Sequence, residues 1–176
     1  MMINKLEIRE SRSGDVTGIE QLYMKAFPDE DLAPLVRELL DLRQGVISFV
    51  GIDENVIVGH IIFTICHIEG AKDEVTLLGP LAVTPTLHKQ GIGSTLVQKG
   101  FKHLENSKIG SVFVLGDPAY YSRFGFKAED KVITPYPLPA EWRGAWQSIH
   151  LYNTEVLHEG RLSVPEPWRQ IALWTS

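Results

Sequence analysis

Leu78-Gly79-Pro80-Leu81-Ala82-Val83, followed after four residues by His88-Lys89-Gln90-Gly91-Ile92-Gly93-Ser94, is the stretch on which the fold turns. Its first part continues an apolar run that begins at Val75. Proline inside a strand removes a ladder donor, and glycine there often marks a bulge. Gly79-Pro80 therefore reads either as a bulge that splays this strand from its partner or as a simple edge-strand kink. The second part precedes a helix whose apolar positions Ile92, Leu96, Val97, Phe101 and Leu104 share one face. Glycines in that loop let the backbone turn tightly. The first N–H groups of the helix lack intrahelical partners and carry partial positive charge. Such a loop suits a phosphate or diphosphate; the blander reading is a glycine-eased approach to a helix. The common nucleotide patterns fail here. A phosphate-binding loop of the Walker type needs a lysine where Ser94 follows Gly93, and the dinucleotide pattern needs a glycine where Leu96 stands.

Outward from this stretch the hydrophobic period sorts the chain into elements. Residues 3–9 read as a short strand. Ser13 or Asp15 caps a helix with Ile19, Leu22, Tyr23, Ala26 and Phe27 on its apolar face, and Pro28 ends it. A second helix carries Leu35, Val36, Leu39 and Leu40, with Gly45 as its stop. The period then changes to that of strands over residues 46–52, 56–68 and 75–83, joined by short turns, which predicts an antiparallel meander. After the helix that opens at Ile92 come a strand over 110–115, a helix of at most two turns over 120–124 stopped by Gly125, and a strand starting at Phe126. Residues 134–148, with Pro135, Pro137, Pro139, Trp142 and Trp146, read as an ordered loop. A last strand lies near 149–152, and the tail from Val164 reads as irregular. This is an α+β layer architecture without a visible domain boundary.

Composition narrows the function classes. The chain has 176 residues, 44% apolar and 22% charged, enough for a real core. Its formal net charge of −5 lacks the basic field of a general nucleic-acid binder or a polybasic membrane anchor. The single cysteine, Cys66, excludes a disulfide within the chain and a cysteine-based zinc cluster. The six histidines show no metal-ligand spacing, so no metal is expected. With no apolar stretch near the ~20 residues a bilayer needs, and no signal-peptide core, a cytoplasmic protein is expected.

Ala119-Tyr120-Tyr121-Ser122-Arg123-Phe124-Gly125-Phe126 completes the pattern. A split strand, a Gly-x-Gly loop opening a helix, a further strand, and a short tyrosine-bearing helix ending in Gly-Phe together resemble the GNAT superfamily of acyl-CoA-dependent N-acetyltransferases. The likeness is clearest over residues 75–128 and points to a bacterial branch with poorly defined substrates.

The resemblance implies a single N-acetyltransferase domain over residues 1–176, with a mixed sheet whose central antiparallel meander contains a splayed, bulged strand, flanked by helices. It implies acetyl-CoA as co-substrate, an amine as acceptor, and a homodimer. The family's diphosphate signature, Gln/Arg-x-x-Gly-x-Gly/Ala, falls on His88, Lys89, Gln90, Gly91, Ile92 and Gly93, with Ser94 next; His88 departs from the family's Gln or Arg. Pairing with the pantetheine arm falls on Leu81, Ala82 and Val83, and polarisation of the thioester carbonyl on an N–H near Leu81. The family tyrosine that protonates the departing thiolate falls on Tyr121. The asparagine that family members often carry ahead of it is missing from Val114-Leu115-Gly116-Asp117-Pro118.

The chemistry sets the remaining needs. An alkylamine with a pKa of about 10.4 must lose a proton before it attacks, and a carboxylate is the usual base. Glu74 is the catalytic candidate, with Asp73, Glu30 and Asp31 as others; spacing singles out none. Tyr120 rivals Tyr121, since adjacent helical residues point about 100° apart and only one can face a given cleft. Asp29-Glu30-Asp31 either draws in a cationic amine or is an acidic first helical turn. Trp142 and Trp146 either wall the acceptor side or fill the core. The alternative function is a non-catalytic CoA-binding or regulatory module with the same fold.

Overall fold

Alternation of β-branched and aromatic residues builds a nine-stranded sheet, and helices with a 3.6-residue apolar period flank it. The computed structural model describes residues 5–42, 44–153 and 158–175. Its strands are β1 (Leu6–Glu10), β2 (Val46–Asp53), β3 (Val56–Ile68), β4 (Glu74–Val83), β5 (Ser111–Leu115), β6 (Lys127–Ala128), β7 (Val132–Ile133), β8 (Trp146–His150) and β9 (Gly160–Ser163). The helices are α1 (Val16–Ala26), α2 (Ala33–Asp41), α3 (Ile92–Asn106), α4 (Pro118–Tyr121) and α5 (Ala172–Thr175). The sheet runs β1-β2-β3-β4-β5-β8-β6, with β9 against β3 and β7 against β9. The fold is therefore α+β, with a mixed and mostly antiparallel sheet. The parallel pairs are β4 with β5 and β7 with β9.

The chain forms two compact units, residues 1–63 with 79–103 and residues 64–78 with 104–176. In the first, α1 buries Ile19, Leu22 and Tyr23, and α2 buries Leu35, Val36 and Leu39. Asp15 does not cap α1 through the helix's own N–H groups. Its carboxylate accepts the Arg12 N–H at 2.7 Å and pairs with both Arg9 guanidinium nitrogens at 2.8 and 3.0 Å. Among the buried side chains is a wholly enclosed imidazole: His60 Nδ1 bonds Tyr23 Oη and His60 Nε2 bonds Ser48 Oγ, each at 2.8 Å. Burial pushes this imidazole down to about 3, against a small opposing pull from Asp15, so it is neutral at pH 7.

The second unit closes on tryptophans. Trp146 stacks on Phe113 with centroids 5.6 Å apart, and Trp174 meets Trp146 and Trp168 at 5.9 and 6.0 Å. Every indole N–H in this group is satisfied: Trp146 donates to Val132 O, Trp168 to Thr64 Oγ1 and Trp174 to Trp168 O. The structure corrects the sequence reading in three places here. Trp146 opens β8 rather than lying in a loop, and it fills the core. The strand expected from Phe126 is two short ones, β6 and β7. The tail from Val164 carries a 3-10 turn over Glu166–Trp168 and α5, which buries Trp174, and β9 just ahead of it pairs with β3.

Candidate active site

β4 leads into the first candidate segment. It contains Gly79 at φ +140, a region that favours glycine, and the Gly79-Pro80 peptide bond is cis. Leu81 and Val83 are half-buried and Ala82 is buried. The Thr84 N–H continues the ladder to Val58 O on β3 at 2.8 Å. A 3-10 turn over Pro85–Leu87 follows, and His88, Lys89, Gln90 and Gly91 lie exposed ahead of α3.

Two residues in that loop, Lys89 at φ +65 and Gly91 at φ +81, take left-handed backbone. The first α-helical bond runs from the Thr95 N–H to Gly91 O at 2.9 Å, and Thr95 Oγ1 reaches the same carbonyl at 2.8 Å. The amides of Ile92, Gly93 and Ser94 thus precede the helix's own ladder and stand at its positive end. α3 is pressed onto β3 at this point. A Cβ built on Gly59 would lie 2.7 Å from Ile92 Cγ2 and 2.9 Å from Leu96 Cδ1, so only glycine lets the start of the helix sit so close. Leu81, Ala82 and Val83, at the end of β4, and the residues from His88 to Ser94 all belong to the first unit.

The second candidate segment belongs to the other unit. Asp117 caps α4 by accepting the Ala119 N–H at 2.9 Å, Pro118 starts the helix with φ preset, and Gly125 at φ +101 ends the following 3-10 turn. Tyr121 is tucked over Gly116: a Cβ there would lie 2.4 Å from its Cε2. Its ring is edge-on to Tyr120 at 5.0 Å and to Phe126 at 5.6 Å. Burial, helped by Tyr120, lifts the Tyr121 phenol well above its ordinary range, so it stays protonated through neutral pH. Tyr120 is raised too by burial, opposed by Arg123, whose guanidinium stands 4.6 Å over its ring.

Glu74 is exposed at the first position of β4. The parallel register sets Thr76, Leu77 and Leu78 opposite Val112, Phe113 and Val114. Glu74 thus lies beside the start of β5, about 13 Å along the strand from Leu78 at ~3.3 Å per residue, whereas Tyr121 follows the far end of β5. This placement lends Glu74 no support as a base working beside Tyr121.

The sequence pattern of the acetyltransferase (GNAT) family matches residues 16–126, from the start of α1 through the Gly-Phe that follows α4. The chain belongs to the GNAT acetyltransferase family. Relatives agree along nearly its whole length. The uncharacterized N-acetyltransferase YjhQ of Escherichia coli K12 is 31% identical over 174 residues, covering 95% of this chain and 96% of that protein. The crystal structure of the GNAT family N-acetyltransferase YhbS from Escherichia coli, in complex with CoA, superposes with a TM-score of 0.84 at 26% identity, covering 94% of this chain and 93% of that one. A GNAT family acetyltransferase from Brucella melitensis, in complex with acetyl-CoA, gives 0.77 at 25% identity, with 93% and 98% covered.

Within this GNAT chain three features escaped the sequence reading: the His88 side-chain bond to Val83 O at 3.0 Å, the seat that Gly116 makes for Tyr121, and the His60 network. The glycine directly after a strand was the one visible signal for the second. Among the described residues no cluster of three or more His, Cys, Asp or Glu side chains could hold a metal ion, and no helix is long and apolar enough to cross a membrane.

Proposed function

We propose that residues 1–176 form one cytoplasmic acetyltransferase domain that moves an acetyl group from acetyl-CoA to a primary amine of a small molecule or protein, by direct attack in a ternary complex. The observation that carries this reading is the opening of α3. Lys89 and Gly91 take left-handed backbone, and three successive amides precede the first helical bond, which fits a diphosphate without any cationic side chain. Complexes of YhbS with CoA and of the Brucella enzyme with acetyl-CoA support the choice of ligand.

In this reading the backbone of Leu81, Ala82 and Val83 pairs with the pantetheine arm, and the segment from His88 to Ser94 cradles the diphosphate. An amide beside Gly79-Pro80, near Leu81, polarises the thioester carbonyl as negative charge grows on its oxygen. Tyr121 donates to the departing thiolate. A phenol that stays protonated at neutral pH suits that role, because it is then in the form that can donate. The amine gives up its proton to a carboxylate, directly or through water, with Glu74, Asp73, Glu30 and Asp31 as the candidates.

Two measurements test the proposal. Isothermal titration with acetyl-CoA gives saturable binding below millimolar ligand, and a flat titration removes the reading. Thiol release over a panel of primary amines gives turnover with at least one of them. Binding without release across the panel favours the non-catalytic CoA-binding module. Tyr121→Phe lowers thiol release about a hundredfold while leaving acetyl-CoA affinity within about twofold.

A further inference from the structure

His88 occupies the position where the family signature has Gln or Arg, and its side chain is already committed within the first unit. Nε2 lies 3.0 Å from Val83 O. A carbonyl oxygen only accepts, so Nε2 carries the hydrogen and donates it. The direction of that carbonyl follows from the ladder. The Thr84 N–H points at Val58 O on β3. In a trans peptide the C=O and the N–H point opposite ways, so Val83 O faces away from β3. His88 therefore clamps the last carbonyl of β4 on the edge turned away from β3, and it reaches back across the 3-10 turn over Pro85–Leu87 to do so.

The clamp has something to hold. Lys89, the next residue, sits at φ +65, left-handed backbone that strains a non-glycine residue. A hydrogen bond from the residue before it helps hold the chain in that conformation. We propose that His88 is a positioning residue rather than a phosphate ligand. It ties the end of the pantetheine-pairing strand to the diphosphate loop, so that the two halves of the acetyl-CoA site keep a fixed spacing. The inference rests on the acetyl-CoA reading of this loop. It gives the departure from the family signature a physical role, with an intramolecular bond standing in place of a side chain offered to the ligand.

Ligand truncation separates the two roles. Amide NMR titrations of the wild-type chain, His88→Ala and His88→Gln are run with CoA and with pantetheine, which lacks the diphosphate. A positioning residue acts on both halves of the site. His88→Ala then weakens CoA and pantetheine by the same factor, about fivefold for one hydrogen bond. His88→Gln, whose amide can still donate to Val83 O, stays within about twofold of wild type for both. The exposed side chain leaves the thermal midpoint of either variant within a few degrees of wild type. Loss of CoA affinity with unchanged pantetheine affinity shows a direct phosphate contact and overturns the proposal. So does an alanine variant that binds both ligands as well as wild type. Wild-type chain that binds neither ligand defeats the acetyl-CoA reading itself, a result distinct from either variant outcome.

Discussion

The two compact units bury their cores by different means. The first encloses a neutral imidazole whose two nitrogens bridge hydroxyls from α1 and β2. The second encloses three tryptophans whose indole N–H groups all find carbonyl or hydroxyl oxygens. Both give these core nitrogens hydrogen-bond partners, as low-dielectric interiors demand. The first uses an imidazole that can take up a proton in mild acid once the chain unfolds, whereas the buried thiol of the second, Cys66, is pushed up to about 12 and stays neutral there. The stability of one unit is thus tied to pH through a core residue, and that of the other rests on apolar area and shape.

Truncating the second core has the largest effect. Trp174→Ala removes a side chain that is 1% exposed and leaves a cavity beside Trp146 and Trp168. It costs about 3–5 kcal/mol in denaturant unfolding, by the same amount at pH 7 and pH 5. A loss that changed with pH would erase the contrast between the units.

The first core sharpens the contrast from the other side. His60 is depressed to about 3 in the folded chain, against about 6.5 unfolded. The unfolded chain therefore binds the proton first. The stabilisation is whole above pH 6.5 and is lost as pH falls from there toward 3. At about 1.36 kcal/mol per pH unit the loss is roughly 3 kcal/mol by pH 4. His60→Gln flattens the slope between pH 6 and pH 4 by about one proton. An unchanged slope would mean that His60 does not couple folding to acid. Asp15, held low chiefly by its hydrogen bond from Arg9, contributes in a separate window, below its ordinary carboxylate range.

A smaller effect is expected where α3 meets β3. Gly59→Ala pushes a methyl into Leu96 Cδ1, the end of a side chain that can turn aside, and into Ile92 Cγ2, a branch methyl that moves only with its helix. It lowers stability by about 1–2 kcal/mol. Because Ile92 opens the proposed diphosphate loop, it also weakens CoA by more than an equally destabilising change in the second unit. Smallest of all is the response of Cys66. Burial pushes its thiol up to about 12, and an opposing bond from the Leu77 backbone does not undo this. Iodoacetamide at pH 8 leaves the folded chain unmodified and labels it only in denaturant.

What could be read in advance followed local rules. β2 and β3 start and stop within a residue of their hydrophobic runs, because turn residues bound them. α3 begins where Gly91 releases the chain, and the 3-10 turn after Tyr121 ends where Gly125 permits a left-handed residue. The readings that missed lacked a local cause. Trp168 binds Thr64 across 104 residues of chain, and no pattern near 160–175 announces that β9 and α5 will be drawn into a core. His60 looks like any polar interruption in a strand until Tyr23, 37 residues away, is placed against it.

By itself, then, the sequence determined the period of each element, the glycines where the chain must turn left-handed, and the motif that marks a GNAT acetyltransferase, since these depend on backbone sterics and near neighbours. The tertiary structure alone decided which aromatic rings close the second core, that one histidine must stay neutral, and that His88 spends its donor on Val83. Those outcomes depend on desolvation and on partners that folding brings together from distant parts of the chain.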